Sequence, residues 1–192
     1  MNQRGYITGG SRGLRAWTAA AALAIASPVA AGVLDAPIPN LNGQPATAVF
    51  YVTGVQATLG EAVEAPFIRN LDTVFTCTSL DKAAPMTFGV EVFTYTGVEV
   101  SVQASSLNLK PGETESISTH RVTGLMSGGL IDLGGKTVPG GSARIISTSK
   151  KIMCSAVLTR TRAPRDNPDP QVDEVLGPIC NLPVVRTDQK GD

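Results

Sequence analysis

Short runs of β-branched and aromatic residues, each closed by glycine or proline, recur along most of this 192-residue chain. Branching at Cβ stiffens χ1 and suits a pleated surface better than a helix. The nearest approach to a helix is 59–65, where Gly60 and Pro66 leave too little room. An all-β chain is therefore expected, and the turn chemistry divides it into strands.

Residues 47–53 read as the first strand and 57–68 as a loop or edge. A second strand is expected at 73–78 and a polar connection at 79–85. A third strand at 87–95 is followed by the Thr96-Gly97 turn and a return arm in which Val98, Val100 and Val102 alternate with polar residues, which together predict a hairpin. Pro111-Gly112 fits a type II turn, since proline fixes φ and glycine tolerates φ > 0. Residues 113–119 continue as a strand. The glycine-rich stretch 124–141 reads as mobile or bulged, with one short strand. Runs at 142–148 and 151–160, joined at Ser149-Lys150, predict a second hairpin. A proline- and charge-rich loop occupies 161–174. A last strand at 176–186, broken by Pro178 and Pro183, belongs at an edge.

The N-terminus has a different character. Arg4, Arg12 and Arg15 precede an apolar stretch of about 11 to 16 residues, short of the ~20 that span a bilayer. Ser27-Pro28 breaks it, and Val29-Ala30-Ala31 places small side chains before a cut ahead of Gly32. These are the three parts of a cleavable secretory signal peptide, assigned to 1–31. Residues 32–46 form an extended lead-in, 47–186 the β domain, and 187–192 a flexible tail. The expected location is periplasmic or extracellular. Three of the 16 basic residues and none of the 16 acidic ones precede Gly32, so the mature part carries about −3. That balance lacks the basic footprint of a nucleic-acid binder. No membrane insertion is expected after signal cleavage.

Export bears on the cysteines. Cys77, Cys154 and Cys180 form an odd set in an oxidising compartment. Cys77 and Cys154 each lie in a β-type run, and Ile152, Cys154, Ala156 and Leu158 share one face by alternation. A Cys77–Cys154 bridge between strands or between sheets is favoured. Bridges using Cys180, or none, remain alternatives.

Catalytic signals are sparse. His120 is the only histidine; Ser116, Ser118 and Thr119 lie near it, but there is no G-x-S-x-G elbow. It reads as a surface or strand-edge residue. Glu91, Glu99 and Glu115 read as outward, solvent-facing strand positions rather than a glycosidase pair. The glycine pairs lack the Lys-Ser/Thr of a phosphate loop. Asp166, Asp169, Asp173 and Glu174 form the best candidate set for calcium, although their spacing is not that of an EF-hand. No metal and no cofactor is assigned.

The order Phe75-Thr76-Cys77-Thr78-Ser79-Leu80, then Gly89-Val90-Glu91-Val92-Phe93, then Leu109-Lys110-Pro111-Gly112-Glu113-Thr114 resembles bacterial immunoglobulin-like modules. Gly141-Ser142-Ala143-Arg144-Ile145 with Lys151-Ile152-Met153-Cys154-Ser155-Ala156 resembles a group of uncharacterised exported bacterial proteins that pair this segment with an earlier cysteine strand. The resemblance spans roughly 70–160 and implies an antiparallel immunoglobulin-like β-sandwich of about 7–9 strands. Its motifs are turns, so it bears on fold and not on activity. The expectation is an exported, non-enzymatic binding, adhesion or envelope-associated module. Its partner would be an unidentified protein or envelope component. The alternatives are a secreted hydrolase with an unfamiliar site, or a periplasmic accessory subunit.

Overall fold

The computed structural model describes residues 37–58, 67–101, 105–120, 122–123, 128–164 and 173–187. The signal peptide at 1–31, Asp166 and Asp169 of the calcium set, and most of the C-terminal tail lie outside them.

The described residues are all-β, without a helix. In chain order the strands are β1 (Ala48–Ala57), β2 (Phe67–Ser79), β3 (Met86–Thr94), β4 (Ser105–Leu109), β5 (Thr114–Ser118) and β6 (Val122–Thr123). After them come β7 (Gly129–Leu130), β8 (Val138–Ser147), β9 (Ile152–Pro164), β10 (Asp173–Leu182) and β11 (Val184–Arg186). They form a five-stranded sheet, β11-β1-β8-β3-β4, and a six-stranded sheet, β6-β10-β9-β2-β5-β7. Pairing is antiparallel except for the two short contacts β10·β6 and β5·β7.

Alternation decides which residues meet between the sheets. Phe50, Val52, Phe88, Val90, Val92, Ala143 and Ile145 of the first sheet share one core with Phe75, Cys77, Ile117, Ile152 and Ala156 of the second. Polar ties join the sheets at one end: Thr73 Oγ1 donates to the Gln56 carbonyl (2.8 Å) and accepts from the Gln56 amide (2.9 Å), and Thr58 and Leu71 exchange two backbone hydrogen bonds.

Several connections pass between the sheets instead of closing hairpins. The Pro111-Gly112 turn has the expected form: Glu113 N–H donates to the Lys110 carbonyl at 3.0 Å, and Gly112 has φ 76°. It leads from β4 in one sheet to β5 in the other. At Pro183 the chain passes from β10 in the second sheet to β11 in the first without reversing. The reversal after β8 overturns an expectation: β8 and β9 do not form a hairpin across Ser149-Lys150. β8 lies between β1 and β3, and β9 between β2 and β10, so both strands have their edges occupied. Alternation fixes which face of a strand is apolar, but two strands facing each other across a core satisfy it as well as two neighbours do. Ser147 and Ser149 hydroxyls accept from the Ser149 and Lys151 amides and hold the crossing.

The Thr96-Gly97 turn is present, with Thr94 N–H donating to the Val98 carbonyl at 2.8 Å. In its return arm Glu99 bridges Phe93 and Val100 N–H donates to the Val92 carbonyl at 2.9 Å; Val98 is exposed, Val100 is buried, and Val102 lies outside the described residues. In the glycine-rich stretch, Gly140 and Gly141 belong to β8. A Cβ on Gly141 would stand 2.2 Å from the Phe93 carbonyl oxygen, so the close approach of β3 requires glycine there.

The lead-in is packed. Asn42 and Gly43 both take positive φ (50° and 78°), as in a type I′ turn, and Leu41 and Gln44 exchange two backbone hydrogen bonds of 2.9 Å. This turn sets Leu41 against Val49 and Ile146 on the outer face of the five-stranded sheet.

Candidate functional site

The fold brings chemistry-bearing side chains together in three places. The first is the outer face of the six-stranded sheet. Asp72 on β2 points away from the apolar core yet is fully buried. Its Oδ1 accepts from His120 Nδ1 and its Oδ2 from Thr161 Oγ1 of β9. Thr159 Oγ1 donates to the Asp72 carbonyl at 3.1 Å. A carboxylate can only accept, so Nδ1 carries the proton and the imidazole is oriented by a fixed acceptor.

His120, expected as a surface or strand-edge residue, follows β5 with its side chain 24% exposed, and it is also pinned to a buried acid. The signal was hard to find because 48 residues separate the partners. The nearby Ser118 hydroxyl donates to the His120 backbone carbonyl. It is thus not set up as a nucleophile for the ring, and the arrangement is an acid–histidine pair rather than a triad.

The second place is the outer face of the five-stranded sheet. Glu91 on β3 and Arg144 on β8 are register partners. Arg144 Nε donates to Glu91 Oε2 at 2.7 Å and Nη2 approaches the same oxygen at 2.6 Å. Nη2 also donates to the Pro37 carbonyl of the lead-in at 2.7 Å, and the guanidinium lies 5.7 Å from the centre of the Phe93 ring. Glu91 was expected to face solvent but is only 4% exposed. Alternation put it on the correct face. What alternation could not show is that this face is buried. Burial pushes the Glu91 carboxyl above its ordinary range, and Arg144 only partly offsets that. Of the other two glutamates, Glu99 is exposed, as expected. Glu115 is not solvent-facing: it shares the inner face with Cys77, opposite which it stands.

The third place is the disulfide. Cys77 and Cys154 are bonded, with Cα atoms 4.2 Å apart, as direct partners on neighbouring strands β2 and β9. That spacing belongs to a non-hydrogen-bonded antiparallel pair. The bridge lies within one sheet, not between the two. Cys180 on β10 is a free, exposed thiol.

Of the calcium candidates, Asp173 and Glu174 fall at the start of β10, paired with Val122 and Thr123 of β6. Among the described residues, no three or more His, Cys, Asp or Glu side chains form a group able to hold a metal ion. No helix among them is long and apolar enough to cross a membrane.

Comparison with protein-family models, with characterised proteins and with solved structures gives no match.

Proposed function

We propose that this chain is an exported, non-enzymatic immunoglobulin-like β-sandwich that binds a protein or another envelope component through the turn at the end of β3. The observation that carries this reading is Tyr95, which is 82% exposed beside the exposed Val98. An aromatic side chain held in water lowers solubility and does nothing for the core, whereas such residues anchor protein interfaces. The turn is braced. Gly97 N–H donates to the Thr94 carbonyl at 2.9 Å, Val98 N–H donates to Thr94 Oγ1 at 3.2 Å, and the Thr94 and Thr96 hydroxyls are bonded at 2.8 Å. A pre-ordered tip loses little entropy on binding. The disulfide is compatible with an oxidising compartment outside the cytoplasm.

The test is capture of envelope components by the immobilised mature protein, compared with Tyr95→Ser. Bound material that is lost with Tyr95→Ser supports the reading; equal capture by both proteins contradicts it.

One observation favours a hydrolase as the second reading: Asp72 orients His120 as an acid orients a general base. Turnover of ester or peptide substrates that disappears in His120→Ala would support it over the binding module.

A further inference from the structure

Two aromatic–carboxylate pairs lie along β3 and its turn, and among the described residues a guanidinium meets only the first. That pair is Phe93 with Glu91. Arg144 Nε donates to Glu91 Oε2 at 2.7 Å while the guanidinium lies 5.7 Å from the centre of the Phe93 ring. The second pair stands at the tip. Tyr95 lies two residues beyond Phe93, and Glu99 is the bridge partner of Phe93 across the Thr96-Gly97 turn. Tyr95 and Glu99 are both exposed.

Glu99 is held in place. Ser101 Oγ donates to Glu99 Oε1 at 3.0 Å and accepts from the Val92 N–H at 3.2 Å, so the carboxylate is anchored to β3. Glu99 has no ion-pair partner among the described residues. Arg144 is engaged with Glu91 and with the Pro37 carbonyl. Burial chiefly raises the Glu91 carboxyl, Arg144 lowers it, and the charge of Glu99 raises it further. Glu99 therefore lies within electrostatic reach of Glu91, and two carboxylates stand beside one guanidinium.

We propose that the partner of this tip is a protein presenting an exposed arginine, whose guanidinium stacks on Tyr95 and pairs with Glu99 as Arg144 does with Phe93 and Glu91. The assignment rests on the binding function proposed above and names the group that is bound. Arginine makes both contacts at once, because its planar guanidinium offers a face to the ring and a fork of N–H donors to the carboxylate. A lysine ammonium is a more strongly hydrated point charge and does this less well. The exposed Val98 gives the arginine methylenes an apolar surface. The mature part, at about −3, also draws a basic surface towards it.

The experiment titrates the isotope-labelled full-length protein with three blocked peptides that differ only at a central arginine, lysine or citrulline, read from the backbone amide shifts of 94–99. The arginine peptide should shift these amides saturably and bind about tenfold more tightly than the neutral citrulline peptide, with lysine weaker than arginine. Tyr95→Ser and Glu99→Gln should each weaken arginine binding about fivefold. Glu99→Gln keeps an acceptor for Ser101, so the turn should stay formed. Added salt should weaken binding to wild type more than to Glu99→Gln. Absent binding, equal binding of the arginine and citrulline peptides, or an unchanged affinity in Glu99→Gln overturns the arginine assignment. If envelope capture is still lost with Tyr95→Ser in that case, the binding function stands and only the identity of the bound group falls.

Discussion

Cys77 and Cys154 are cross-strand partners 4.2 Å apart at Cα, joining two strands that are already neighbours in the six-stranded sheet. The bond adds no new neighbour to the fold. What it removes is freedom from the unfolded chain, where it links residues separated by 77 positions. A loop of that size gives about 4–5 kcal/mol by chain-entropy reckoning.

Replacing both cysteines by alanine should therefore lower unfolding free energy by about 4 kcal/mol, with a further cost for the volume lost in the core. Urea titration under non-reducing conditions measures it. A loss under about 1 kcal/mol would contradict the role assigned to the bridge.

Glu91 and Arg144 should behave as a coupled pair. Either Glu91→Ala or Arg144→Ala alone leaves a buried group without its charge partner and should cost about 3–5 kcal/mol. The double change to methionine and leucine should recover much of that loss, because two apolar side chains need no partner. A double-mutant cycle in denaturant gives the coupling; strictly additive losses would sink the pair.

The direction of the Glu91 shift sets a pH dependence. Its folded pKa lies above the ordinary value of 4.5, so the folded state holds the proton more tightly than the unfolded state does. The stability this group contributes is complete below 4.5 and is lost as pH rises through the folded value. The stability of wild type minus that of Glu91→Gln should accordingly grow as pH falls from neutral towards 4.5. Asp81 shifts the other way: the Ala83 backbone amide stabilises its carboxylate, so Asp81→Asn should give a difference that shrinks on acidification. Thermal melts from neutral pH to 4.5 follow the Glu91 difference, whereas the Asp81 difference holds above 3.8 and shrinks only as pH falls below it. A flat difference for Glu91→Gln would show that burial does not control its proton.

Asp72→Ala should be more damaging than His120→Ala. Removing the acid strips the acceptor from both His120 and the buried Thr161, at a cost of about 2–4 kcal/mol. Removing the partly exposed ring should cost less, since water can reach part of its place. Equal losses in denaturant titrations would argue against Asp72 as the centre of the cluster.

Much of this fold was legible because strand alternation and turn chemistry are local. The runs around Val52, Phe75, Val90 and Ile145 carry the core, and Pro111-Gly112 turns where proline and glycine should. The cysteine pairing was readable for the same reason, since both sulfurs sit on apolar strand faces. Strand partners were not legible, because Ser149-Lys150 suits a crossing between sheets as well as a hairpin. Nor was burial of the outer faces. Glu91 reads as an ordinary polar position until Arg144 is opposite it and the Pro37 carbonyl accepts from Arg144. The Asp72–His120 pair depends on register between distant strands, which no sequence window contains.

Non-reducing peptide mapping of the protein recovered after export, with free thiols alkylated first, tests the account most directly. It predicts a mature N-terminus at Gly32, one linked peptide pair containing Cys77 and Cys154, and alkylated Cys180. An uncut N-terminus, or Cys180 found in a bridge with either of the others, would contradict it.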